Sequence, residues 1–233
     1  MNATRANPIY CALDTADQDR ARTLANQIAS SVGGIKLGLE FVTGQGMKSV
    51  NEFVAGPLPV FLDLKFHDIP NTCAKAVGAA AELGVWMVNV HASGGRRMME
   101  AAREEVEKKS HQPLLIAVTV LTSMEREDLA DIGLDIDPVV QVERLAKLTE
   151  RCGFHGVVCS AQEVGLIRSA CSPQFLTVTP GIRPAGSDAG DQRRIMTPPQ
   201  AQEAGVSYMV IGRPITQAAD PAAACHDILT SLR

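Results

Sequence analysis

A chain of 233 residues with a net charge of −4, its 22 basic and 26 acidic residues interspersed, offers no basic face for nucleic acid and no acidic solvating tail. Its length suits one (β/α) barrel, which commonly runs to about 250 residues, so a single domain over 1–233 and a small-molecule partner are expected. No apolar run approaches the ~20 residues of a membrane span, residues 1–7 lack an apolar leader, and the six cysteines show no C-x-x-C spacing; a cytoplasmic protein with reduced thiols and no membrane or nucleic-acid partner is expected.

The first strand, 9–13, ends in Asp14, and a helical segment over 17–31 closes at Gly33-Gly34. A second strand, 35–38, carries Lys36, and a helical stretch over 40–53 precedes Gly56-Pro57. In the third strand, 60–65, the period of two sets Leu62, Leu64 and Phe66 on an apolar face and Phe61, Asp63 and Lys65 on the other. Burying unpaired charge is costly, so Asp63 and Lys65 should pair with each other and with further partners. Pro70 ends the run, and Asp68, Asn71 or Thr72 stands where it can cap a helix beginning near Cys73. By itself this stretch reads equally as a structural ion pair with helix caps and as a reactive site.

A helix over 71–83 leads to the fourth strand, 87–92, and Gly94-Gly95 opens the next helix, to about 109. The fifth strand, 114–121, ends in Thr122-Ser123; a polar helical excursion over 124–133 and a stronger helix over 138–152 follow. The sixth strand, 156–160, is followed by a helix over 162–170, and the seventh, 175–179, runs into Pro180-Gly181-Ile182-Arg183 and a Gly-rich loop over 185–193. After a short helix, 198–204, the eighth strand, 208–211, ends in Gly212-Arg213-Pro214, and 221–232 is the closing helix. Eight strands, each followed by a helical pattern, predict parallel strands with right-handed crossovers that close as a (β/α)8 TIM barrel.

On that fold, active sites lie at the C-terminal ends of the strands. Asp14, Lys36, Asp63, Lys65, Thr122, Ser123, Arg183 and Arg213 all fall there, and this convergence favours a site over a scattered set of surface charges. The loops after strands seven and eight commonly hold phosphate. Gly212 permits close backbone approach, Arg213 offers two parallel donors, Pro214 suits a first helical position and Gln192 can reach in from its loop. His67 and His91 have no companions at metal-ligand spacing and are expected to be hydrogen-bonded or surface residues.

The segment Asp63-x-Lys65-x-x-Asp68-Ile69-Pro70-x-Thr72, with Thr179-Pro180-Gly181-Ile182-Arg183 and Ile211-Gly212-Arg213-Pro214, resembles orotidine 5′-phosphate decarboxylase of the bacterial type, over about 9–232. The resemblance implies conversion of orotidine 5′-monophosphate to uridine 5′-monophosphate and carbon dioxide, the last step of de novo UMP synthesis, with no cofactor and no metal. At matching positions it implies that Asp14 and Lys36 contact the ribose hydroxyls. It implies that Asp63, Lys65 and Asp68 surround the reacting carbon C6 and its carboxylate, with Lys65 delivering the proton. Thr122 and Ser123 would lie along the pyrimidine; Gln192, Gly212 and Arg213 would hold the phosphate with Arg183 close by, and Pro180 joins the substrate-binding set. Asp68, Ile69 and Thr72 would reach into a partner's site, which implies a homodimer with shared sites. A lysine between two carboxylates keeps its charge and serves as an acid at a developing carbanion, so the chemistry agrees with these roles.

Two other readings compete. A magnesium-dependent phosphosugar decarboxylase or synthase of related architecture would carry an acidic residue on the second strand, where this chain has Lys36 and Gly38 with Glu40 just beyond. A non-catalytic barrel that binds phosphate ligands would have no need of Lys65 between Asp63 and Asp68.

Overall fold

In the computed structural model, residues 7–185 and 195–232 are described. Eight parallel strands close into a barrel in chain order: β1 (Ile9–Ala12), β2 (Gly34–Gly38), β3 (Val60–Phe66), β4 (Met87–His91), β5 (Leu114–Val118), β6 (Gly156–Val158), β7 (Leu176–Thr179) and β8 (Tyr208–Ile211). Around them lie α1 (Gln18–Ile28), α2 (Leu39–Gln45), α3 (Val50–Val54), α4 (Pro70–Glu82), α5 (Gly95–Glu107), α6 (Arg126–Asp131), α7 (Pro138–Arg151), α8 (Val164–Ala170), α9 (Pro198–Glu203), α10 (Arg213–Thr216) and α11 (Pro221–Ser231). The expected (β/α)8 TIM barrel is therefore the observed fold. Among the described residues no helix is long and apolar enough to cross a membrane. All six cysteines are free, and all but the half-buried Cys171 are buried.

Strand periodicity divides the apolar residues into two cores. Outward residues such as Ile9, Cys11, Ile35, Leu37, Leu62, Val88 and Val90 pack under the helices. Inward residues Tyr10, Ala12, Phe61, Met87, Ile116, Val178 and Val210 fill the barrel. At its N-terminal end Tyr10 stacks on Trp86, centroids 5.0 Å apart, and Tyr208 meets both rings edge-on. The barrel is thus plugged below and open above.

Several local expectations are corrected. The stretch over 40–53 is not one helix: Gly46, at φ 78°, ends α2, and a 3-10 turn at Met47–Ser49 precedes α3. The fifth strand stops at Val118 rather than 121, because the chain then turns on itself, Met124 N–H donating to the Leu121 carbonyl at 2.9 Å. The helix expected near Cys73 starts at Pro70, with Ile69 at the cap and no side-chain cap bond, so Asp68, Asn71 and Thr72 do not cap it. Proline supplies the start instead, since its fixed φ suits a first helical position and its missing N–H is no loss there. Pro214 stands second in α10, after Arg213.

The departure that matters most lies in β3. Its pairing with β4 jumps from Leu62↔Val88 to Phe66↔Val90, so the upper strand bulges between those points. Inside the bulge Lys65 takes φ 54°, and it is the one non-glycine residue with positive φ among the described residues.

Candidate active site

Inward parity continues upward from the barrel core into charge. On β1 the series Tyr10, Ala12 leads to Asp14; on β2 Gly34 leads to Lys36 and Gly38; on β3 Phe61 leads to Asp63; on β4 Met87 leads to Asn89 and His91. The register places Lys36 beside Phe61 and Gly38 beside Asp63. A Cβ on Gly38 would stand 2.9 Å from Lys36 Nζ and 3.4 Å from Asp14 Oδ1, so glycine leaves the room that the ammonium occupies.

Charges of alternating sign result. Lys36 Nζ lies 3.0 Å from Asp14 Oδ1 and 3.3 Å from Asp63 Oδ2, and Lys65 Nζ lies 2.7 Å from Asp63 Oδ1. The Lys36 and Asp63 side chains are 10% and 11% exposed, so this pair is largely desolvated, whereas Asp14, at 54%, opens to solvent. Burial opposes the ionised form of Asp63, but the ammoniums of Lys36 and Lys65 outweigh it and hold the carboxyl below its ordinary range. For Lys36 burial is again the largest influence and disfavours charge; Asp63 and Asp14 overcome it and raise the ammonium above its ordinary range.

The expected pairing of Asp63 with Lys65 and further partners is met, and those partners are Lys36 and Asn89. Asn89 had no role in the sequence reading. It is fully buried, its Nδ2 donates to Asp63 Oδ1 at 2.7 Å, and its Oδ1 accepts from the backbone N–H of Lys65 at 2.8 Å. Its signal was available, since inward parity on β4 places an amide beside the charged strand.

A cavity of about 440 Å³ opens over the array, a size that accommodates a small organic ligand. It brings together Asp14, Lys36, Asp63, Lys65, Thr122, Pro180, Arg183, Gly212 and Arg213. Arg183 is buried and donates from Nη1 to the Ile182 carbonyl at 2.9 Å, with Gly181 turning at φ 77° before it. Exposed Arg213 opens α10 at the cavity edge.

Other expected residues fall elsewhere. Ser123 is exposed and does not line this cavity, and Gln192 lies outside the described residues. Asp68, Ile69 and Thr72 are exposed outside it. Lys65 is not held between two carboxylates of its own chain: among the described residues its ion-pair partner is Asp63, while Asp68 accepts from the Ile69 N–H at 2.7 Å. The His67 and His91 rings lie 5.5 Å apart, and burial, with His67 and Lys65 nearby, holds His91 below the ordinary imidazole range.

Comparison with known proteins adds independent observations. The family model described as "Orotidine 5'-phosphate decarboxylase / HUMPS family" matches residues 7–228. An orotidine 5′-phosphate decarboxylase of Salmonella typhimurium is 56% identical over 232 residues, covering 99% of this chain and 95% of that protein. One from Pectobacterium atrosepticum is 57% identical over 232 residues, covering 99% and 94%. The crystal structure of orotidine 5′-phosphate decarboxylase from Lactobacillus acidophilus superposes with a TM-score of 0.87 at 34% identity, covering 98% of this chain and all of that one. An uncharacterized conserved protein from Geobacillus kaustophilus gives a TM-score of 0.85 at 35% identity over 97% of this chain.

The array has a predictable pH signature. A carboxyl with a depressed folded pKa contributes stability above its unfolded value and loses it as pH falls through the folded one; a lysine with a raised pKa contributes below its unfolded value and loses it as pH rises through the folded one. The stabilising window for Asp63 and Lys36 therefore spans about pH 4 to pH 10. Asp63→Asn is expected to be less stable than wild type by about 3–5 kcal/mol inside that window. Urea unfolding across pH should show the deficit shrinking towards both ends, and a deficit flat with pH would contradict this account.

Proposed function

The chain belongs to the orotidine 5′-phosphate decarboxylase / HUMPS family and is a carboxy-lyase of pyrimidine nucleotide synthesis, and from this premise we propose that Lys65 is the proton donor in its conversion of orotidine 5′-monophosphate to uridine 5′-monophosphate. The observation that carries the proposal is the Lys65 ammonium, 2.7 Å from Asp63 and lining the cavity at the barrel mouth.

Cleavage of the bond between C6 and the carboxylate leaves the electron pair on C6, and the pyrimidine ring delocalises it poorly. An ammonium at that carbon stabilises the developing charge, then gives its proton as the new C–H bond forms. Lys65 recovers a proton from solvent after product leaves. Asp63 orients that ammonium and is itself held by Lys36, while Asp14 and Lys36 form the edge that would meet the ribose hydroxyls. Thr122 and Pro180 border the cavity where the pyrimidine would lie.

Phosphate would bind at Gly212 and Arg213 after β8, with buried Arg183 lining the same cavity and Gln192 as a further ligand. This contact matters, because binding energy from a remote phosphate is available for ordering the reacting end. No cofactor or metal takes part in these steps, and turnover after EDTA treatment is expected to be undiminished; magnesium-dependent activity on a phosphosugar would instead support the sister reaction.

The site is shared in this reading. Asp68, Ile69 and Thr72 are exposed and do not line their own cavity, and Ile69 is 68% exposed. Apolar surface so exposed is suited to a partner subunit, with Asp68 completing the partner's charged array in a homodimer.

Three outcomes are expected. Lys65→Ala lowers kcat by at least about 10²–10⁴-fold in an absorbance assay while product still binds; near-normal turnover would remove the proton-donor role. Arg213→Ala weakens phosphate-bearing ligands by about 1.5–3 kcal/mol and leaves the free nucleoside unaffected by calorimetry; equal losses would reject the phosphate assignment. Mixing inactive Asp63→Asn and Asp68→Asn subunits restores activity through heterodimers with one intact site, and failure to complement in demonstrably mixed dimers would refute sharing.

A further inference from the structure

We infer that Asn89 is a positioning residue for the reaction, one buried amide that fixes both the backbone of Lys65 and the carboxylate of Asp63. The inference rests on the placement of Lys65 proposed above and concerns a residue that neither touches substrate nor carries charge.

The bulge in β3 creates the need. Between Leu62↔Val88 and Phe66↔Val90 the strands lose register, so the Lys65 N–H has no place in the regular ladder. Asn89 Oδ1 accepts it at 2.8 Å. A buried N–H without a partner is costly, and the left-handed region disfavours a residue with a Cβ. The hydrogen bond therefore holds Lys65 at φ 54°, a conformation its side chain alone would not choose. Because the ammonium lies at the end of a long stem, relaxation of that one dihedral would swing it away from the reacting carbon.

The same amide has a second duty. With its oxygen committed to an N–H, its nitrogen must face the other way, where Asp63 Oδ1 accepts at 2.7 Å. An ionised carboxylate is an acceptor only, so chemistry fixes the amide orientation without ambiguity. Aspartate at 89 could accept from Lys65 but could not donate to an ionised Asp63, and leucine could do neither. Asparagine is thus the residue type that satisfies both neighbours, and its complete burial excludes water as a substitute.

The test uses Asn89→Leu and Asn89→Asp in the full chain, with Lys65→Ala in parallel. For Asn89→Leu, which keeps the branched shape while removing both hydrogen bonds, kcat for orotidine 5′-monophosphate is expected to fall about 100-fold, with KM changed less than about threefold because the ribose and phosphate contacts remain. For Asn89→Asp, a second carboxylate beside Asp63 raises the pH at which the pair ionises, so the acid limb of the kcat profile should move up by at least about one unit. A merely structural role would lower the melting temperature and leave both readouts near wild type. Folded Asn89→Leu with kcat within about threefold of wild type, an unmoved acid limb in Asn89→Asp, or misfolding of both variants would each overturn the inference. Normal turnover by Lys65→Ala would instead overturn the proton-donor reading, so the two failures are distinguishable.

Discussion

The buried contact between Asp63 and two lysines is the constraint on which the upper half of this barrel depends. A carboxylate that is 11% exposed cannot remain ionised alone, and neither can a lysine that is 10% exposed. Each is tolerable because its neighbours carry the opposite sign, in the order Asp14, Lys36, Asp63, Lys65. The arrangement leaves Lys65 at the end of the series, lining the cavity. Stability and chemistry consequently draw on the same pairs.

Holding such an array requires departures from regular structure, and they are concentrated at the barrel mouth. Gly38 gives up a side chain so that Lys36 fits, and β3 gives up ladder register so that Lys65 can turn towards Asp63. A left-handed lysine is a local cost on the order of 1–2 kcal/mol. The pairing with Asp63 and the amide of Asn89 offset it.

The opposite end of the barrel is built differently. The Tyr10, Trp86 and Tyr208 rings close the base with apolar area, and Arg168 donates to the carbonyls of Phe175 and Gly205 and to the hydroxyls of Thr177 and Ser207. A barrel separates these duties along its axis, so a tightly closed base supports a mouth rich in charge and poor in regular pairing.

The eight strands, their parallel closure and the end of the barrel where the charges gather were legible in the sequence, because apolar runs of strand length and the helical segments between them are local patterns. Asp14, Lys36, Asp63, Lys65, Arg183 and Arg213 were legible for a related reason: a charge at the end of an apolar strand conflicts with its surroundings and so stands out. Asn89 was overlooked because an uncharged amide inside an apolar run creates little conflict until its neighbours are known. The helix starting at Pro70, the separation of Asp68 from Lys65 and the broken helix over 40–53 also escaped, since each is settled by how the chain turns in space. The sequence by itself determined the barrel and the inventory of charges, which depend on periodicity and composition. Only the tertiary structure decided which charges meet, because pairing across β1, β2, β3 and β4 depends on strand register and on the bulge at Lys65, and these arise from hydrogen bonds between residues more than twenty positions apart.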